Sequence, residues 1–121
     1  MTKSILKEKS YLFAIKMVKL SQYLQNEKKE YILSKQILRS GTSIGALIRE
    51  GEFGQSRADF IHKMSIALKE ANETEYWLSI LKDTDYIAEE LYKSNVSDVK
   101  ELISMLVSSV KTAKKNLSKK L

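Results

Sequence analysis

The stretch SRADFIHKMSIALKEANETEYWLSIL, Ser56 to Leu81, decides the fold. Within it Phe60, Met64, Ala67, Ala71, Thr74, Leu78 and Leu81 succeed one another in alternating steps of four and three residues. At about 100° per residue those steps return to one side of an α-helix, whereas a strand would alternate at every second residue. Ser56, three residues ahead of Asp59 and just before Phe60, has the form of a capping box, so the helix starts there. Toward the N-terminus, Leu33, Ile37, Gly41, Ile44 and Ile48 make a second stripe, which Gly51 is placed to end as a left-handed cap. Leu6, Phe13, Met17, Leu20 and Leu24 make another, separated from it by the polar run Asn26 to Glu30. Asp83 to Asn95 reads as a broken polar connection, and from about Val96 the residues Val99, Leu102, Leu106, Val110, Ala113 and Leu117 give the last stripe.

The composition agrees. The 121 residues contain no proline and only 4 glycines, too little turn punctuation for an all-β domain, and 43% apolar content suffices for one core. The expected fold is all-α, an antiparallel up-and-down four-helix bundle formed by residues 1–121 as a single domain, because short connections force successive helices side by side. Gly41 and Gly45 inside the second helix each cost up to about 1 kcal/mol relative to alanine, which predicts close approach of another helix along that face.

Two helices are apolar on two sides. Tyr11, Ile15 and Val18 lie roughly opposite Phe13, Met17 and Leu20, and Ile66, Trp77 and Ile80 lie roughly opposite Met64, Ala71 and Leu78. Such clusters predict an oligomer interface and hence a homo-oligomer. Glu75 falls between Met64 and Leu68 in helical angle, which predicts a buried carboxylate paired to Arg49, Arg39 or the hydroxyls of Ser40, Thr42 and Ser43.

The formal net charge of +6 is unevenly spread: residues 56–90 carry 4 cations and 8 anions, while residues 1–30 carry 7 and 3 and residues 91–121 carry 7 and 2. The first and last helices are therefore basic and the third acidic. Lys100, Lys111, Lys114, Lys115 and Lys119 lie off the apolar stripe of the last helix and form a solvated basic face, with no aromatic residue interleaved to stack bases. Binding there would be directed at a phosphate backbone and strongly salt-dependent. Arg39 and Arg49 are secondary nucleic-acid candidates.

No constellation for catalysis stands out. With no cysteine and one histidine, thiol nucleophiles, zinc ribbons, Ser-His-Asp relays and paired di-iron motifs are absent or incomplete. The spacing of the glycines matches neither phosphate-loop nor dinucleotide fingerprints. The expectation is a non-enzymatic chain with no metal and no cofactor. One weak pattern remains, Arg57 followed by four residues and His62, which matches the R-x-x-x-x-H signature of HEPN ribonucleases, although Ala58 stands where those nucleases prefer a polar residue. No run approaches the roughly 20 apolar residues of a membrane span and no signal-peptide pattern opens the sequence, so a cytoplasmic protein with no membrane partner is expected.

The segments SGTSIGALIREGE, Ser40 to Glu52, and SIALKEANETEYWL, Ser65 to Leu78, joined by Ser56 and Asp59-Phe60, resemble the bacterial four-helix bundle proteins. These are also called 23S rRNA intervening-sequence proteins or S23-type ribosomal-like proteins. The resemblance implies a four-helix bundle assembled as a homopentamer, and no catalytic residue. The chain is also similar to the accessory variability determinant of diversity-generating retroelements, which implies RNA, a ribonucleoprotein or a reverse transcriptase as partner. Leu47 stands where the family usually has asparagine, so a polar contact from that position does not carry over. The leading expectation is an oligomeric bundle that binds RNA or a ribonucleoprotein through basic surfaces. The alternatives are a purely structural scaffold, in which acidic and basic helices of different subunits meet, and a HEPN-like ribonuclease using Arg57 and His62.

Overall fold

The structure is a computed structural model that describes residues 4–120, with side chains from 5 to 118. Among them are four helices, α1 (Ser4–Glu27), α2 (Leu33–Glu52), α3 (Arg57–Asp83) and α4 (Glu89–Lys120). Each packs antiparallel to its predecessor, and α4 returns beside α1, so the fold is an all-α four-helix bundle. The interior is filled by the expected stripes: Phe13, Met17, Leu20 and Leu24 from α1, Ile37, Ile44 and Ile48 from α2, Met64, Ala67, Ala71, Leu78 and Leu81 from α3, and Val99, Leu102, Leu106 and Ala113 from α4 are buried. Leu47, in the position where asparagine was expected, is half-buried and packs against this core.

Gly41 and Gly45 of α2 sit where α1 comes closest. A Cβ on Gly41 would lie 2.3 Å from Met17 Cγ and 2.9 Å from Met17 Cβ, and one on Gly45 would lie 3.3 Å from the Ser10 carbonyl oxygen. The expected close approach is therefore made by α1. One layer away, α2 and α3 are locked by a buried hydrogen bond of 2.9 Å between the hydroxyls of Thr74 and Ser40.

Helix ends follow local chemistry, and in three places they differ from the sequence expectation. At α3 the Ser56 hydroxyl accepts from the Asp59 amide at 3.1 Å, as the capping box predicts. Gly51 does not end α2 in a left-handed conformation: it lies inside the helix, where a Cβ would come 2.6 Å from Met64 Cε, and none of the four glycines has positive φ. Its role is steric, to let α3 approach. Positive φ occurs instead at Lys29 (54°) and Asp85 (66°). Asp85 ends α3 as a Schellman motif, with the Tyr86 amide donating to Leu81 O at 2.9 Å and the Asp85 amide to Lys82 O at 3.0 Å. Asp is among the residues that tolerate this conformation, and the sharp stop lets α4 begin at Glu89, seven residues before the expected start. The segment after it is held down by Ile87, which is buried, and Tyr92, whose ring lies 4.5 Å from Lys82 Nζ. Its polarity is that of a helix N-terminus, with Glu89 and Glu90 complementing the dipole.

The third difference is at the start of α2. Ile32 precedes the helix and offers no cap; Glu30, only 9% exposed, reaches forward instead, and its carboxylate accepts from the amides of Ile32, Leu33 and Ser34 at 3.2, 2.9 and 2.8 Å. A carboxylate on these otherwise unpaired amides also meets the positive end of the helix dipole.

Candidate nucleic-acid interface

Part of the positive charge is paired inside the chain. On α1, Lys7 pairs with Glu52 at 3.4 Å, Lys9 with Glu101 at 3.2 Å, and Lys16 with Asp98. Lys16 also donates to Ser94 Oγ at 3.0 Å, so the seam between α1 and α4 is held by charge at its middle. Arg39 donates to Glu70 at 3.0 Å and to Glu73, and Glu73 accepts the Trp77 indole N–H at 3.0 Å. The basic face expected on α1 is thus largely neutralised, and Arg39 is tied to α3 rather than free for phosphate.

The carboxylate expected to be buried is not. Glu75 is half-exposed and lies 3.8 Å from Lys100 on the flank of α3 that faces α4. The buried arc of α3 runs from Met64 round to Leu81, about 100° in the direction away from Glu75, which stands some 20° beyond Met64. Leu68, about 40° beyond Met64, is itself only half-buried, so a stripe drawn through it placed the core edge too far round. Buried polar contacts are made instead by Thr74 with Ser40, by Ser21 with the Ser34 carbonyl, and by Glu30.

Of the six residues expected at an oligomer interface, the α1 set is open, with Tyr11 61% exposed and Ile15 and Val18 also exposed. Leu12 beside them is 55% exposed. The α3 set is not a free face: Ile66, Trp77 and Ile80 are half-buried, and Trp77 packs against the core with its ring edge-on to Tyr76. Arg57 and His62 are both exposed near the start of α3, five residues and about 140° of helical turn apart. Among the described residues no group of three His, Asp or Glu side chains is arranged to hold a metal ion, and no helix is long and apolar enough to cross a membrane.

Several unpaired cations gather at one end of the bundle, while Lys19, Lys28, Lys29, Lys35 and Lys69 are exposed elsewhere, also with no carboxylate partner among the described residues. Among the described residues, Arg57 at the start of α3 and Lys111, Lys114 and Lys115 near the end of α4 are exposed and have no carboxylate within ion-pair distance; Arg49 on α2 is likewise free. The Lys119 side chain lies outside the described residues. Between α4 and the starts of α1 and α3 a groove of about 980 Å³ opens, its floor made by Leu6, Ile48, Phe60 and Met64. Its α4 wall carries Ser104, Ser108, Thr112 and Asn116 at four-residue spacing, and Arg57 stands on the opposite side. Taking Thr112 as reference, Lys115 and Lys111 fall about 60° and 100° round on the Ser104 side, on the outer side of this wall, while Lys114 points further away. Phe53, 77% exposed in the turn after α2, adjoins Glu52 of the same groove. Sequence order hid this meeting, because residues 52–60 and 104–116 come together only through the antiparallel α3–α4 pairing.

The comparisons agree with the architecture. The model of the 23S rRNA-intervening sequence protein family matches residues 2–108. A protein of unknown function from the S23 ribosomal protein family of Bacteroides thetaiotaomicron, solved as a crystal structure, is 58% identical with a TM-score of 0.88, over 88% of this chain and 99% of that one. No curated protein matches the chain. Lys111, Lys114 and Lys115 lie beyond the residues of the family match, which nonetheless takes in all of α1, α2 and α3 and more than half of α4. With that extent of match, the chain belongs to the 23S rRNA-intervening sequence protein family.

Proposed function

We propose that this chain is a non-enzymatic, cytoplasmic bundle that works as a homo-oligomer and binds RNA or a ribonucleoprotein through the basic end of α4. The observation that carries the reading is the contrast in pairing. Lys7, Lys9 and Lys16 of α1 and Arg39 of α2 have carboxylate partners within the chain, whereas Lys111, Lys114 and Lys115, close together on one helix, have none among the described residues. Unpaired, clustered cations attract a polyanion by counterion release without base-specific contacts. Reversing three charges with Lys111→Glu, Lys114→Glu and Lys115→Glu removes RNA binding on this reading. Reversing three exposed lysines elsewhere, Lys19→Glu, Lys28→Glu and Lys35→Glu, changes net charge equally and weakens binding far less. Equal losses from the two triples would overturn the assignment to α4.

The scaffold reading keeps one supporting observation, the open α1 cluster around Tyr11, Leu12 and Ile15. An exposed group of this kind suits a second copy of the chain, and the pentamer implied by the family resemblance is the expected stoichiometry. Pairing of acidic α3 with basic helices of another subunit has less support, since Glu70, Glu73 and Glu75 already have basic partners in their own chain.

A further inference from the structure

The geometry points to single-stranded RNA, held in the groove between α4 and the start of α3, as the form of nucleic acid that this end of the bundle binds. The inference rests on the RNA-binding reading above and adds which structure of RNA is taken. A rigid duplex needs only a basic surface, whereas an unpaired strand offers exposed base faces and edges together with phosphates. The groove supplies a counterpart for each. Its floor is apolar, with the Phe60 ring among the lining side chains. Its α4 wall presents Ser104, Ser108, Thr112 and Asn116 over about 18 Å of helix, a row of donors and acceptors at even spacing. Thr42, Thr74 and Thr84 turn their hydroxyls back onto the carbonyl four residues earlier, at 2.7, 2.8 and 2.7 Å; among the described residues no such bond is present at Ser104, Ser108 or Thr112, so these groups remain available.

Charge completes the match. Arg57 lines one side of the groove, Lys111 and Lys115 project by helical angle from the outer side of its α4 wall, and Glu52, the acid of the lining, is already paired with Lys7 at 3.4 Å. An anionic lipid would also meet cations and an apolar floor. Its acyl chain, however, leaves the row of hydroxyl and amide groups without partners once water is displaced, which costs free energy at each group. Bases and 2′-hydroxyls engage that row.

The test is fluorescence anisotropy with the full chain, using a labelled 12-nucleotide oligouridine, a 12-base-pair RNA duplex and, separately, vesicles containing phosphatidylglycerol. The single strand is expected to bind at least about tenfold tighter than the duplex at the same salt. Ser108→Trp, which fills the groove from an exposed position, lowers single-strand affinity about tenfold or more while leaving its salt slope unchanged, because the cations remain. The double variant Lys111→Ala, Lys115→Ala instead flattens the slope by about 1.4, near 0.7 for each phosphate contact on a single strand. Circular dichroism melting verifies that both variants keep the fold. Equal affinity for strand and duplex, or an unchanged affinity in Ser108→Trp, overturns the groove assignment and leaves the broader RNA reading standing. Absence of binding to either RNA overturns both, and preferential binding to the vesicles that Ser108→Trp abolishes replaces RNA with an anionic lipid.

Discussion

Thr74 and Glu75 are neighbours with opposite environments. The Thr74 hydroxyl is fully buried and bonded to Ser40, so Thr74→Val leaves the Ser40 hydroxyl buried without that partner and destabilises the fold by about 1 to 3 kcal/mol. Glu75 makes a half-exposed ion pair of 3.8 Å with Lys100, and Glu75→Gln changes stability by less than about 0.5 kcal/mol. Urea denaturation of the two variants measures the difference; a larger loss in Glu75→Gln would restore the carboxylate as the register lock. The sequence shows both residues near a helical stripe, yet a 20° uncertainty in the stripe's centre decides which is inside. Glu30 was hidden for another reason: its role depends on a three-dimensional turn that carries a side chain three residues before the helix back over the first amides of α2.

Among the elements, α2 carries the sharpest consequences. Glu30→Ala removes the acceptor for three amides at its start and is expected to cost about 1 to 2 kcal/mol, at the upper range of cap deletions because the acceptor is charged. Thermal unfolding gives the value, and an unchanged midpoint would mean that water serves the amides equally well. Gly41→Ala gains about 1 kcal/mol of helix propensity, yet it must displace Met17 from the α1 interface and loses about 1 to 3 kcal/mol through overpacking. Net destabilisation is expected, and a stabilised variant would show that α1 moves away without loss. The periodicity of Phe60 to Leu81 and of Ile37 to Ile48 was enough to place these helices, since burial imposes that spacing. The start of α4 was not visible: residues 89–95 carry few apolar side chains, and their helicity depends on the stop at Asp85 and on contacts of Tyr92 with α3.

For the molecule as a whole, the proposed function assigns self-association and RNA binding to different surfaces. The exposed α1 cluster predicts that Tyr11→Glu with Ile15→Glu lowers the mass seen by size-exclusion light scattering while leaving the helical content intact. A wild-type chain that is monomeric at micromolar concentration would remove the oligomer from the account. The net charge of the sequence suggested a basic protein but not where its charge is free. That follows only from which lysines the fold places beside carboxylates: Lys7, Lys9 and Lys16 of α1 are paired, whereas the end of α4 is left open. The most direct measurement of the central claim is therefore the RNA affinity of the wild-type chain followed from 50 to 200 mM salt. The account predicts a linear fall of log affinity with log salt, with a slope that shrinks by about 0.7 to 0.9 for each of Lys111, Lys114 and Lys115 whose phosphate contact is removed. An affinity that stays flat with salt, or a slope unchanged when those three lysines are replaced by alanine, would contradict it.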